Sequence, residues 1–597
     1  MRSTFVKKQL TSSGMAITSK LKWNTWGKIN WKTVEFQVFK LQKRIYRASL
    51  QGDKKLVRKL QHMMVSSYYG KLLAARKVTQ QNKGKKTAGI DGVKSLKPTE
   101  RMELVSKLKL DGNSQPTRRV WIPKPGKKEK RPLGIPTILE RVKQSLLKLA
   151  LEPEWEAVFE PNSYGFRMGR SCHDAIAAIF TNINKKPKYV LDADISKCFD
   201  CINHEALIKK LNTFPKLSRQ IKAWLKSGVI DFSKWAERKG YNNTSEGVPQ
   251  GGAISPLLAN IALHGLEQHI ENNFPNDKKG RWIESWKNYK RTFQSPRIIR
   301  YADDFVILCE ELEPVIKCKE LVENWLKEIG LELKPSKTRL CHTLEKFENE
   351  EPGLHFLGFE IKQFQVGKHH SGKTTSKKPL GFKTIIRPSK EKVKVHYEQL
   401  NQWCNKMKAV DASALIKQLN PIIRGWCNYQ SPWHTKETFS KVKNLMWSRL
   451  WRWAKRRHPN KNRKWIAKKY FGGSKQWSFV SRSGTNSLEL LCHTDFPASV
   501  KWVKVEGIRT PYDGDETYWS KRIGDNYQTI DPQKARLLKK QKGKCAHCGL
   551  SFKPEDLIEK HHILMKSKGG NNADNNLLLL HLHCHDQIHQ NKVDVTN

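Results

Sequence analysis

Two apolar runs, Ile298-Ile299 and Phe305-Val306-Ile307-Leu308, flank the tetrapeptide Tyr301-Ala302-Asp303-Asp304. This pattern predicts a β-hairpin whose turn projects carboxylates. A second strand-like run, Tyr189-Val190-Leu191-Asp192-Ala193-Asp194-Ile195, also ends in acids and is followed by Phe199-Asp200. Helical periodicity marks three later segments, 393–407, 412–423 and 438–455. Residues 1–86 read as helical and basic, ending in Asn82-Lys83-Gly84-Lys85-Lys86. Residues 270–296 read as a polar insertion, and residues 366–380, with Gly367-Lys368-His369-His370-Ser371-Gly372-Lys373, as a flexible loop. No stretch approaches the roughly 20 apolar residues of a membrane helix. Met1-Arg2-Ser3-Thr4-Phe5-Val6 lacks the apolar run of a signal peptide.

Charge changes this picture more than any other bulk property. The 597 residues contain 111 Lys and Arg against 56 Asp and Glu, a formal charge of +55. Self-repulsion of that size points to a polyanionic partner, bound with steep salt dependence. Residues 441–475 hold 13 Lys/Arg and no acid, interleaved with Trp447, Trp451, Trp453 and Trp465. Such a face suits structured RNA; of the 20 Trp some are expected in the core and others stacked on bases. The 12 Cys are not spaced as a secreted disulfide framework, so a reducing cytoplasm is expected. The length requires several domains.

The acids acquire a purpose when taken together. Carboxylates crowded at one point repel unless a cation shares the site, and oxygen ligands select Mg²⁺. Two strands from distant sequence, each delivering an Asp, meet the needs of two-metal nucleotidyl transfer. Asp194 and Asp303 are assigned as principal ligands and Asp304 as the supporting acid. Lys124 and Arg131 flank a Pro/Gly-rich turn, where cations can clamp a triphosphate. Glycines around Gln250, in Gly247-Val248-Pro249-Gln250-Gly251-Gly252, allow close backbone approach to a ligand. At the other end of the chain, Cys545-Ala546-His547-Cys548 and His581-Leu582-His583-Cys584 form two knuckles with zinc-ligand spacing. Cys545, Cys548, His581 and Cys584 close a tetrahedral site, with His583 the rival for the third position. His585 and His589, at i and i+4, share one helical face.

The blocks, in order, resemble the group II intron-encoded proteins, reverse transcriptases and maturases with a C-terminal HNH endonuclease. They are Ile122-Pro123-Lys124-Pro125-Gly126, Arg131-Pro132-Leu133-Gly134-Ile135-Pro136, Ser163-Tyr164-Gly165-Phe166-Arg167, Asp194-Ile195 through Phe199-Asp200, the Gln250 block, the Asp303-Asp304 box, Leu333-Lys334-Pro335-Ser336-Lys337-Thr338 and Phe356-Leu357-Gly358-Phe359. The resemblance covers the chain from about Thr87 to its end. It implies a multidomain α+β fold: a basic helical extension (1–86), expected either to cover template RNA or to form a solvated arm, right-hand polymerase fingers and palm (87–365), an all-helical thumb or maturase X domain (366–475), a small DNA-binding region (476–530) and a zinc-stapled ββα-metal HNH domain (531–597).

It further implies site residues. Asp194, Ile195, Asp303 and Asp304 would form a two-Mg²⁺ polymerase site. Lys124, Arg131, Phe199, Gln250 and Lys337 would bind the nucleotide, with Phe199 excluding a 2′-hydroxyl. Arg424, Trp426, Arg449, Arg452, Lys455, Arg456 and Arg457 would bind RNA. His562 would be the nuclease general base and Asn576 would orient its loop. His561, His585 and His589 would hold one divalent ion, Mg²⁺ or a softer transition metal. The implied partners are the host intron RNA, double-stranded target DNA and dNTPs, with no membrane. The implied place of action is a bacterial cytoplasm or an organelle matrix. The alternative is a splicing maturase without polymerase activity.

Overall fold

The computed structural model describes residue 23 and residues 25–591, apart from 125, 127–128, 233–240, 243, 275–280, 287–288, 473–477, 484–485, 500–501, 516, 520–521, 523–531, 553–555, 566 and 568. The expectation for residues 1–22 and the rival role of the His583 side chain lie outside the described residues.

From Trp31 onward the basic N-terminal extension is part of the body. Helices Trp31–Leu50, Lys54–Ser66 and Tyr68–Arg76 pack on the helix Ile138–Glu156. Each of the three opens at a side-chain cap, where Asn30, Asp53 and Ser67 accept from the amides of Thr33, Leu56 and Gly70. Pro153, inside the buried helix, removes the amide that would bond the Leu149 carbonyl. Gln42 Nε2 donates to that carbonyl instead, at 3.1 Å, and Gln61 Nε2 to the Ala150 carbonyl at 3.3 Å. The docked helices therefore complete the hydrogen bonding of the one they cover.

Strands β1 (Thr117–Pro123) and β2 (Lys130–Ile135) form a hairpin. β3 (Tyr189–Asp194) precedes the short β4 (Val229–Ile230) and β5 (Tyr241–Asn242), and the polar insertion holds a separate hairpin, β6 (Arg281–Trp286) and β7 (Tyr289–Gln294). β8 (Arg297–Tyr301), β9 (Asp304–Cys309) and β10 (Arg339–His342) follow. They assemble into two four-stranded sheets, β2-β1-β4-β5 and the antiparallel β10-β3-β9-β8. The second sheet is buried on both faces. Leu191, Ala193, Phe305 and Ile307 enter one core, while Val190, Ile299, Val306 and Leu308 enter the other.

A three-stranded sheet, β11 (Leu354–Phe356), β12 (Phe359–Gln365) and β13 (Phe382–Pro388), leads to helices Lys390–Lys406, Ala412–Gln430 and Lys436–Arg457. These helices start or end beyond the expected 393–407, 412–423 and 438–455, because Ser389 and Asp411 cap the first two and packing carries the polar ends. The expected flexible loop 366–380 is instead tied back on itself, with the Ser371 hydroxyl accepting from the amides of Leu380 (2.9 Å) and Gly381 (2.8 Å).

After β14 (Val480–Ser483) and β15 (Asn486–Glu489), the stretch 502–522 returns to the β3 sheet's neighbourhood. The fully buried Asp174 accepts from Trp502 Nε1 (3.2 Å), the Val505 amide (2.9 Å) and Arg522 (2.6 Å). The C-terminal module is an antiparallel pair, β16 (Ile558–His562) and β17 (Leu577–His581), followed by the helix Leu582–Asn591.

Candidate catalytic centres and nucleic-acid surface

In the register of β3 and β9, Asp194 stands directly opposite Asp304. Opposite residues of an antiparallel pair bring their Cβ atoms to about 4.5–5.5 Å, so both carboxylates share one point of the sheet face. Asp303 sits in the two-residue turn between β8 and β9, beside Ala302 at φ 59°. A tight hairpin demands such a left-handed residue, and alanine adopts it at a cost in strain. The turn is held from below. Tyr164 N donates to the Arg300 carbonyl at 2.9 Å, and a Cβ on Gly165 would meet Ala302 N at 2.3 Å. Only glycine lets these two backbones approach so closely.

Burial raises the Asp303 carboxyl, and the Asp194 charge adds to that. Burial, then the charges of Asp303 and Asp194, push Asp304 up to about 7. Among the described residues, the cation directly paired with this cluster is Lys337, whose ammonium hydrogen-bonds Asp194. Three oxygen donors with this deficit of positive charge fit hard divalent cations. Ile195 lies at the strand end, its amide donating to the Asp303 carbonyl at 3.3 Å.

Around the acids the structure gathers the other expected residues. Phe199 lies in the short helical turn Cys198–Cys201, and Val248 N donates to its carbonyl at 2.6 Å. Gln250 Nε2 donates to Asp200 Oδ1 at 3.3 Å, and the Gln250 carbonyl accepts from Gly134 N at 2.6 Å. Arg131, exposed on β2, is near enough for its charge to lower Asp303. Lys124 is less available than its place in the hairpin implies, since Glu129 pairs with it at 2.7 Å. That pair is exposed and therefore weak. One residue went unassigned in the sequence. Phe166, 48% exposed and left-handed at φ 58°, meets the Phe199 ring edge-on at 6.2 Å. A large exposed apolar ring in a strained conformation is a signal that only the structure carries.

The C-terminal module builds a second pair of centres. Cys545, Cys548, His581 and Cys584 are all buried, with ligand atoms within 4.8 Å of one another. Cys548 Sγ lies 3.3 Å from His581 Nδ1, and Asp556 Oδ2 orients the far nitrogen at 3.2 Å. Soft sulfur donors completed by an imidazole fit a zinc ion, and Asp556, which the knuckle spacing does not reveal, fixes the ring. His561, His585 and His589 form the other cluster within the same distance. His561 Nδ1 is buried with no hydrogen-bond partner among the described residues, which fits a ligand awaiting a cation. Burial, then the neighbouring imidazoles, lower His561 to about 4, so it presents a neutral ring.

Strand alternation sends His562 to the opposite face from His561. There its Nε2 lies 2.9 Å from Asn572 Oδ1, a partner the sequence did not suggest. Asn576 pins the loop after His562, accepting from Leu564 N at 2.8 Å and donating to the carbonyls of Leu564 (3.1 Å) and Asn571 (2.8 Å).

The seven expected RNA-binding residues divide. Arg424, Arg452, Lys455 and Arg456 are exposed. Trp426 is stacked internally on His396, centroids 4.2 Å apart and planes 2° from parallel. Arg449 bonds Asn405, and Arg457 caps the Lys408 (3.1 Å) and Val410 (2.6 Å) carbonyls. Their neighbours already claim these three groups.

Comparison with known proteins now assigns the class. The family profile described as "Reverse transcriptase (RNA-dependent DNA polymerase)" matches residues 122–361, and "N-terminal domain of reverse transcriptase" matches 26–108. "Group II intron, maturase-specific domain" matches 393–471, and "HNH endonuclease" matches 545–591. The chain belongs to the group II intron-encoded proteins, which combine reverse transcriptase, maturase and HNH endonuclease functions in intron mobility. Protein YkfC of Escherichia coli is 33% identical over 308 residues, 46% of this chain and 78% of that protein. Group II intron-encoded protein LtrA of Lactococcus lactis is 30% identical over 370 residues, 52% of this chain and 58% of LtrA. An uncharacterized 91 kDa protein in the cob intron of Schizosaccharomyces pombe is 27% identical over 542 residues, 81% of this chain and 63% of that protein. Among the described residues no helix is long and apolar enough to cross a membrane.

Proposed function

We propose that this chain copies its host intron RNA into DNA from a 3′ end made by its own nuclease, and that it helps the same RNA fold and splice. In this reading residues 87–365 are fingers and palm, 366–475 the thumb, 476–530 a DNA-binding stretch and 531–597 the nuclease. The reading rests above all on Asp194, Asp303 and Asp304 meeting at one point of a doubly buried sheet.

Asp194, Asp303 and Asp304, with the Ile195 backbone, would hold two Mg²⁺ ions. When bound, these supply Lewis acidity to the attacking 3′-hydroxyl and the leaving pyrophosphate. Arg131, and Lys124 once released by Glu129, hold the triphosphate through charge-assisted hydrogen bonds. Lys337 exchanges its tie to Asp194 for the nucleotide or primer. Gln250, positioned by Asp200, lies against the nucleotide, and the Phe199 ring closes the space a 2′-hydroxyl would need. In the nuclease, His562 takes the proton from the attacking water, while Asn576 holds the loop that shapes its cleft. His561, His585 and His589 would hold one divalent ion, and Cys545, Cys548, His581 and Cys584 a structural zinc. The partners are intron RNA, duplex target DNA and dNTPs, met in a reducing compartment.

Primer extension on an RNA template with Mg²⁺ tests the reading. Wild type makes full-length cDNA and Asp303→Ala makes none. Failure of the wild type under conditions where it binds and splices intron RNA would leave a maturase without polymerase activity.

A further inference from the structure

A cavity of about 360 Å³ opens between the helix Lys436–Arg457 and the segment leading through Phe479 to Asp495. It lies apart from both catalytic centres, and its size is within the roughly 300–1,000 Å³ of ligand sites. Trp447, Phe471 and Phe479 line it beside the aliphatic Met446, Leu450, Leu490 and Leu491. Trp447 stays 37% exposed although large and apolar, and it stacks on Trp451 with centroids 5.5 Å apart and planes at 18°. Phe471 closes the group, 5.3 Å from Trp451. The rim is polar, carrying Lys443, Asn444 and Thr494. His493 also lines the cavity, and its ring is fixed by His396 at 2.9 Å, so this side is rigid before any ligand arrives.

We propose that this cavity receives one unstacked nucleobase from a single-stranded part of the bound RNA. The inference rests on the reading of this helical domain as RNA-binding. Three observations select a base over an apolar protein segment. The walls offer flat ring faces, that of Trp447 partly exposed, as single-strand binders do. The rim pairs an amide and a hydroxyl with a cation, matching a base edge and the phosphate behind it. The stretch 441–472 beside the cavity carries 12 Lys/Arg and no acid, and Asp495, the acid in the lining, already accepts from the Cys492 amide at 2.9 Å, so this surface would repel a basic partner and attracts a phosphodiester chain.

The test measures binding of the full-length chain to short homopolymeric RNAs of each base and to an RNA duplex, across a salt series. Trp447→Ala, and Leu491→Trp, which fills the cavity, should each weaken single-strand binding about tenfold. The slope of log affinity against log salt should not change, because no phosphate contact is lost. Duplex binding should be unaffected, and Trp447→Phe should recover most of the loss. RNA carrying 4-thiouridine should photo-crosslink to Trp447 or Phe471. Circular dichroism checks that the variants fold, and Trp447→Phe guards against a purely structural loss. Wild-type single-strand affinity in both variants would overturn the pocket, as would equal losses on single strands and duplex. Wild type that fails to bind any RNA would overturn the RNA-binding reading and the pocket with it, whereas intact binding with unaffected variants would remove the pocket alone.

Discussion

At the scale of single residues, the proposed selectivity for deoxynucleotides falls to a pair of rings. Phe199 was legible in the sequence from its place five residues after Asp194. Its partner Phe166 was not, because a ring thirty-three positions upstream reaches it only through the fold. Phe199→Ala should relax discrimination against ribonucleotides, and Phe166→Ala should do so more weakly by letting the Phe199 ring tilt. Losses of roughly tenfold are in keeping with the modest discrimination that apolar shape supplies. The ratio of kcat/KM for dNTP and rNTP measures both, and unchanged selectivity in Phe199→Ala would end its role as a barrier. The proposed nuclease base has a similar history. His562 and Asn576 could be assigned by motif, whereas Asn572, 2.9 Å from the His562 ring, could not.

At the scale of elements, the catalytic turn is only as well placed as its support. Gly165 packs where a Cβ would meet Ala302 N at 2.3 Å, so Gly165→Ala must displace the turn bearing Asp303. Shifts near 1 Å at a reacting centre cost on the order of 10²-fold in rate. Single-turnover extension should fall by about that factor while RNA binding holds, and an unchanged rate would show that the turn does not depend on this contact. The C-terminal module makes the complementary point. Its described core is small, with Leu577, Leu579 and Leu580 packed against the Cys545 and Cys584 side chains. So small a unit would depend on a metal held by the Cys/His cluster for stability. Chelation, or Cys548→Ser, should expose residues 545–591 to protease and abolish nicking. Polymerisation should return once Mg²⁺ is restored, and a protease-resistant metal-free module would contradict this.

At the scale of the whole molecule, buried imidazoles set an acid limit. Burial, with the neighbouring His493 ring, lowers His396 to about 3, and burial lowers His493 and His173 each to about 4. The unfolded chain takes up these protons near 6.5 while the folded chain does not. Stability is therefore fully present above about 6.5 and declines as pH falls toward 4. The loss is about 1.4 kcal/mol per imidazole for each pH unit in that window. Hydrogen-exchange protection of helix Lys390–Lys406 should drop between pH 7 and pH 5, and a His396→Phe, His493→Leu variant should flatten the response. The same scale holds the separation of activities. His562→Ala should abolish target nicking and leave cDNA synthesis intact, and loss of both would show that the two centres are not independent.

The sequence by itself offered the candidate chemistry. Ordered blocks pointed to the acids, the cysteine knuckles and the histidines, and apolar spacing located the hairpin and the helices, because strand and helix periods are local properties. It also pointed to a polyanionic partner, since net charge does not depend on the fold. What only tertiary structure decided was which contacts the candidates make within the chain. Lys124 is paired with Glu129 in an exposed ion pair, and Trp426, Arg449 and Arg457 make internal contacts. The basic arm proved from Trp31 onward to be part of the core, and the stretch after 500 a strap bound at Asp174. These outcomes depend on partners tens to hundreds of residues away. Long-range packing assigns a side chain its neighbours, and no local pattern encodes that choice.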